Sequence, residues 1–96
     1  MRGVLIPVLD PESAWRLHPQ VSVRPEPFGA LLYHFGTRKL SFLKDRTLLD
    51  VVSRLESAPS AAAACDAAGV PVADRSRFLS ALDTLAASNM IEVRTT

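Results

Sequence analysis

The spacing of apolar residues changes period once along the chain, near Leu43, from two to that of a helix. Before the change, Trp15, Leu17, Val21 and Val23 mark extended chain interrupted by Pro19, with a strand expected over Gln20–Arg24. Pro25-Glu26-Pro27 predicts an extended or turning link, because neither proline can donate to a ladder. Ala30–Phe35, rich in aromatic and branched side chains, reads as a second strand. Gly36-Thr37 supplies a short turn, with the glycine free to take positive φ. The chain then returns as a third strand, Arg38–Leu43, polar at Arg38, Lys39 and Ser41, with Leu40 and Phe42 sharing one face.

Beyond Leu43, Asp45 is suited to cap a helix that carries Leu48, Leu49, Val51, Val52 and Leu55 on a wide apolar stripe. A short second helix is expected from about Pro59, an apt first-turn residue, to Gly69. Its Ala61–Ala64 run allows close packing but buries little area. Pro71 separates it from a third helix over Asp74–Ser88 with Phe78, Leu79, Leu82 and Leu85, and Asn89 supplies a left-handed stop. Met90-Ile91-Glu92-Val93 reads as a short extended segment beside the sheet. The expected fold is α+β: a three-stranded antiparallel sheet followed by a three-helix bundle, winged-helix-like in shape. Residues 1–14, with Pro7 and Pro11 and no regular period, form an expected flexible N-terminal arm, and residues 15–96 form one domain.

Composition narrows the function. Ninety-six residues support one hydrophobic core and not two. Eleven basic and ten acidic residues leave a formal charge of +1, so no whole-protein field draws nucleic acid or an anionic membrane. The single cysteine, Cys65, excludes an internal disulfide and a zinc site built on cysteine pairs. The apolar run Val4–Leu9 is broken by Pro7 and stopped by Asp10-Pro11-Glu12, which argues against an export signal and for a cytoplasmic protein.

Catalytic constellations are missing from the pattern. His18 and His34 have no carboxylate or cysteine at motif spacing, and a mid-strand His34 reads as structural. Cys65 among alanines reads as a small buried thiol, and Trp15 as a packing anchor. There is no phosphate-binding glycine loop and no nucleophile elbow, and no metal or cofactor site is expected. The expectation is a binding protein, not an enzyme.

Two binding modes fit such a chain. In a winged-helix DNA-binding regulator, Asp74–Ser88 would be the recognition helix. Yet Arg75 and Arg77 there stand between Asp74 and Asp83, and the hairpin precedes the helices instead of following them. In a peptide binder, Arg38–Leu43 is the outer edge of a meander whose free N–H and C=O groups template another strand. Arg38 and Lys39 serve equally well as charges that guard such an edge against aggregation.

Resemblance adds to this reading. Gln20–Val93 resembles the PqqD-like family of precursor-peptide chaperones, also called RiPP recognition elements. Trp15-Arg16-Leu17-His18-Pro19-Gln20-Val21, Arg24-Pro25-Glu26-Pro27-Phe28-Gly29-Ala30 and above all Tyr33-His34-Phe35-Gly36-Thr37-Arg38-Lys39-Leu40-Ser41-Phe42-Leu43-Lys44 are similar to its mycofactocin-biosynthesis branch. The resemblance implies a chaperone that binds the leader of an MftA-like precursor peptide and presents it to an MftC-like radical-SAM maturase. Iron–sulfur clusters and S-adenosylmethionine would belong to that enzyme. It further implies a leader added as an antiparallel strand to the third strand, in the groove beside the third helix. The site residues on that basis are Arg38, Lys39, Leu40, Ser41, Phe42 and Leu43 with Arg75, Phe78, Leu79 and Leu82. Arg38, Lys39 and Arg75 would meet acidic leader residues, while Phe78 or Leu79 lines the groove with Leu82. An open edge and an apolar arm make either a monomer or a strand-exchanged dimer compatible with the sequence.

Overall fold

The computed structural model describes residues 10–94. In chain order the elements are β1 (Trp15–Leu17), β2 (Val21–Glu26), β3 (Gly29–His34), β4 (Leu40–Leu43), α1 (Arg46–Arg54), α2 (Ala61–Ala67), a single 3-10 turn (Val72–Asp74), α3 (Arg75–Ala87) and β5 (Ile91–Val93). The fold is α+β, as the change of period predicts. β2, β3 and β4 form an antiparallel meander in that spatial order.

A second, two-stranded sheet lies outside the expected plan. β5 pairs antiparallel with β1, Trp15 opposite Val93 and Leu17 opposite Ile91, so Ile91–Val93 joins β1 and not the meander. Arg16 and Glu92, directly opposite each other, close an ion pair at 2.6 Å across that ladder.

The strand boundaries also move. β2 continues through Pro25, which pairs with Ala30, because β2 is an edge strand and a proline there can face its missing N–H outward. Phe35–Arg38, longer than the expected Gly36-Thr37 turn, connects β3 to β4. His34 pairs with Lys39 across this turn, and the positive φ belongs to Arg38, at 64°. Arg38 and Lys39 are therefore turn residues that precede the strand expected to contain them. Gly29, at φ 149°, is fixed by a close approach: a Cβ there would lie 2.0 Å from the Leu43 carbonyl oxygen.

The helices follow their capping chemistry. The Asp45 carboxylate accepts the N–H groups of Thr47 and Leu48 and starts α1. Ser60, one residue after the expected Pro59, caps α2 by accepting from Ala63. The N–H groups of Ala61 and Ala62 donate to the carbonyls of Ser13 and Pro11, so residues 11–13 are docked on the end of α2. Of the expected arm, 10–14 is thus held against the domain, and 1–9 lies outside the described residues. Asn89 does stop α3 in the left-handed region, at φ 62°.

One core joins these parts. Ala30, Leu32 and Leu43 from the inner sheet face meet Val51, Val52 and Leu55 of α1, Ala61, Ala64 and Cys65 of α2, and Phe78, Leu82 and Leu85 of α3. Burial pushes the Cys65 thiol above its ordinary range, with Arg75 pulling the other way and Asp66 adding to the rise.

Candidate functional site

The open edge of the meander is β4. Its outward backbone groups follow from the register. His34 N–H donates to the Lys39 carbonyl at 3.0 Å, which makes that facing pair a hydrogen-bonded one. Such pairs alternate along an antiparallel ladder, so Ser41 and Leu43 point their N–H and C=O groups at β3. Leu40 and Phe42 direct theirs away from it, toward the free side. The opposite edge, β2, differs: Pro25 deprives it of a donor within its six residues.

Side-chain direction on β4 follows the same period of two. Leu43 is buried in the core and Ser41 is half-buried on the same inner face. Leu40 and Phe42 lie on the outer face, 54% and 59% exposed. The shared face expected for these two residues is present, but it faces solvent.

The turn that launches β4 is held from below. His34, buried on β3, accepts the N–H groups of Gly36 (3.0 Å) and Thr37 (3.1 Å) at Nδ1. The ring proton therefore sits on Nε2, which is buried and has no hydrogen-bond partner among the described residues. His18 stacks beside it with ring centroids 4.4 Å apart. His34 is a structural residue, as its mid-strand position suggested.

The third helix stands beyond the C-terminal end of β4. Arg77 Nη1 lies 3.9 Å from Asp45 Oδ2, and its guanidinium sits 4.9 Å from the Phe78 ring centroid. Of the apolar residues expected to line a groove here, Phe78 (4% exposed) and Leu82 (0%) are core residues first. Leu79 is half-buried at the margin of the core. Arg75 turns toward α2 and pairs with Asp66, so its charge is committed inside the molecule. Arg77, absent from the expected set, is the cation that reaches from α3 to the β4–α1 junction. Sequence spacing could have suggested it, since Arg77 and Phe78 lie one turn into the helix.

Among the described residues no group of three or more His, Cys, Asp or Glu side chains could hold a metal ion, and no helix is long and apolar enough to cross a membrane.

A three-stranded antiparallel sheet with one unguarded edge, backed by three helices, is the build of the PqqD-like class of small α+β domains. The sequence model of the Peptide chaperone MftB family matches residues 14–92, and the chain belongs to that family. It is 62% identical over 87 residues to the peptide chaperone MftB of Mycobacterium tuberculosis, covering 91% of this chain and 80% of that protein. The Mycobacterium ulcerans chaperone of the same name is 61% identical over 82 residues, 85% of this chain and 75% of its own length. That of Mycolicibacterium smegmatis is 60% identical over 82 residues, 85% of this chain and 80% of its own. No solved structure matches the chain. The resemblance drawn from Trp15–Lys44 and the helical half is thereby borne out, and with it a chaperone role.

Proposed function

We propose that this protein captures the leader of an MftA-like precursor peptide as an antiparallel strand added to β4 and delivers it to an MftC-like radical-SAM maturase. The observation that carries this reading is the open β4 edge, where Leu40 and Phe42 present their backbone N–H and C=O groups outward. Membership of a peptide-chaperone family supports the peptide as occupant. The protein binds and presents; the chemistry belongs to the maturase.

Backbone pairing alone does not give useful affinity. Pairing with Leu40 and Phe42 makes about four hydrogen bonds at roughly 1 kcal/mol net each. Ordering a disordered leader costs about 2–5 kcal/mol, so the two effects cancel. Affinity must come from side chains that the added strand lays against Leu79 and the inner side of β4, each contributing about 1.5–3 kcal/mol when buried. Arg38 and Lys39, exposed at the turn and outside every ion pair among the described residues, steer an acidic leader more than they hold it. The DNA-binding reading loses support, because Arg75 is tied to Asp66 and Arg77 lies between Asp45 and Asp74.

The test compares Phe42→Pro with Phe42→Thr in titrations of a fluorescent leader peptide. Both remove the ring, but only proline removes the outward N–H. The proline variant is expected to bind at least tenfold more weakly than the threonine variant, with unchanged circular dichroism. Equal binding by the two folded variants would show that the leader does not pair with β4.

A further inference from the structure

The outer face of the meander has a chemistry of its own. Two rows cross it: Arg24, Leu31 and Phe42 in one, Ser22, Tyr33 and Leu40 in the other. Phe28, 45% exposed in the turn before β3, sets its ring 6.3 Å from that of Phe42. Phe35 stacks edge-on against Tyr33 at 4.9 Å. Phe28, Phe35, Leu40 and Phe42 are four of the six large apolar residues exposed among those described, and all lie on the meander or its turns. A small protein rarely leaves so continuous an apolar patch uncovered without a partner for it.

The patch also contains a depression and a charged rim. Phe28, Phe42 and Lys44 line a shallow hollow of about 420 Å³. Lys44 is exposed and forms no ion pair among the described residues. Arg46 reaches the neighbouring Pro27 carbonyl at 3.2 Å, and Arg24 stands on the same face. The local carboxylates are already engaged: Glu26 pairs with Arg24 at 3.1 Å, and Asp45 caps α1. Arg24 is neutralised in the same pair, so the rim's unpaired cations are Lys44 and Arg46, although the whole protein is nearly neutral.

We propose that this face docks a folded protein whose contact surface carries an apolar knob ringed by carboxylates, and that it does so while the β4 edge holds a peptide. The knob fills the hollow between Phe28 and Phe42, and the carboxylates meet Lys44 and Arg46. Aromatic anchors in a desolvated hollow are where binding free energy concentrates, with rim charges setting approach and orientation. The face looks out perpendicular to the sheet plane, whereas the outward groups of Leu40 and Phe42 point within that plane, so both partners can be held together. This inference rests on the delivery step proposed above and assigns it a surface.

The experiment measures maturase binding and leader binding separately for Phe28→Ser and Lys44→Glu, neither of which lies in the leader site. Each variant is expected to weaken maturase binding at least tenfold, to leave leader affinity within twofold and to keep the wild-type circular dichroism. The Lys44→Glu loss should shrink in high salt, as a charge contact requires. Undiminished maturase binding by folded variants would overturn the assignment while leaving delivery intact. A parallel loss of leader affinity would overturn it by assigning the face to the peptide. A wild-type dimer that Phe28→Ser converts to monomer would overturn it by making the occupant a second copy. A wild-type protein that binds leader but no maturase would refute delivery itself.

Discussion

His34 Nδ1 accepts the backbone N–H of Thr37 at 3.1 Å, so a buried side chain of β3 shapes the turn that sends the chain into β4. The same nitrogen takes the Gly36 N–H. Replacing His34 by Leu fills the space but leaves both donors without their acceptor. The expected loss is about 2 kcal/mol, since each abandoned hydrogen bond costs about 1 kcal/mol where water can reach the turn. Urea denaturation measures it, and faster amide exchange at Gly36 and Thr37 locates it. Unchanged stability would mean that the turn holds itself.

Gly29 and Gly69 both have positive φ, at 149° and 81°, but only one is crowded. A Cβ at Gly29 would meet the Leu43 carbonyl oxygen at 2.0 Å, whereas at Gly69 nothing lies within 4 Å. Gly29→Ala should cost roughly 2–4 kcal/mol, combining backbone strain with a clash against β4. Gly69→Ala should cost only about 1 kcal/mol, the strain of the left-handed position. Thermal denaturation of the two variants should rank them in that order.

Cys65 ties stability to alkaline pH. Its thiol is held above the ordinary value of 9.0 by burial, so the folded protein keeps a proton that the unfolded chain releases. Unfolding then sheds a proton, and the stabilisation is present in full below about pH 9 and lost as pH rises through the folded pKa. Cys65→Ala should flatten this part of the stability–pH curve. An unchanged slope in that variant would place the titrating group elsewhere.

On α3, burial separates stability from binding. Phe78→Ala and Leu82→Ala should cost roughly 3–5 and 2–5 kcal/mol, because both residues lie in the core. Leu79 is half-buried, so Leu79→Ala should cost less, and its main effect should be weaker leader binding. Leader titrations on the folded variants test this, and normal binding by Leu79→Ala would move the groove off that residue.

The two halves of the fold were unequally legible. Helices could be read from local chemistry: Asp45 and Asn89 mark ends that capping and the left-handed stop require, and both are where the sequence places them. The β1–β5 pairing was hidden because Trp15–Leu17 and Ile91–Val93 lie at opposite ends of the chain, and short segments carry no signal of their partner. The turn is longer than Gly36-Thr37 because the left-handed position belongs to Arg38, a residue type that carries no local signal for it. Gly36 is small for another reason: a Cβ there would lie 2.5 Å from the Gln20 side chain. The edge itself was legible from strand order. Which residues of α3 stand free beside it was not, since a helix with Phe78, Leu79 and Leu82 has apolar residues over too wide an arc for spacing to separate core from groove.

The proposed function stands or falls on whether the peptide pairs with β4. Titrating isotopically labelled protein with the leader peptide, with amide signals followed residue by residue, tests it most directly. With the peptide on β4, the largest shifts fall at Leu40 and Phe42, whose N–H groups gain partners, with slowed exchange there and smaller shifts at Arg77 and Leu79. Shifts centred on Val21–Glu26, or an equal pattern produced by duplex DNA, would contradict it.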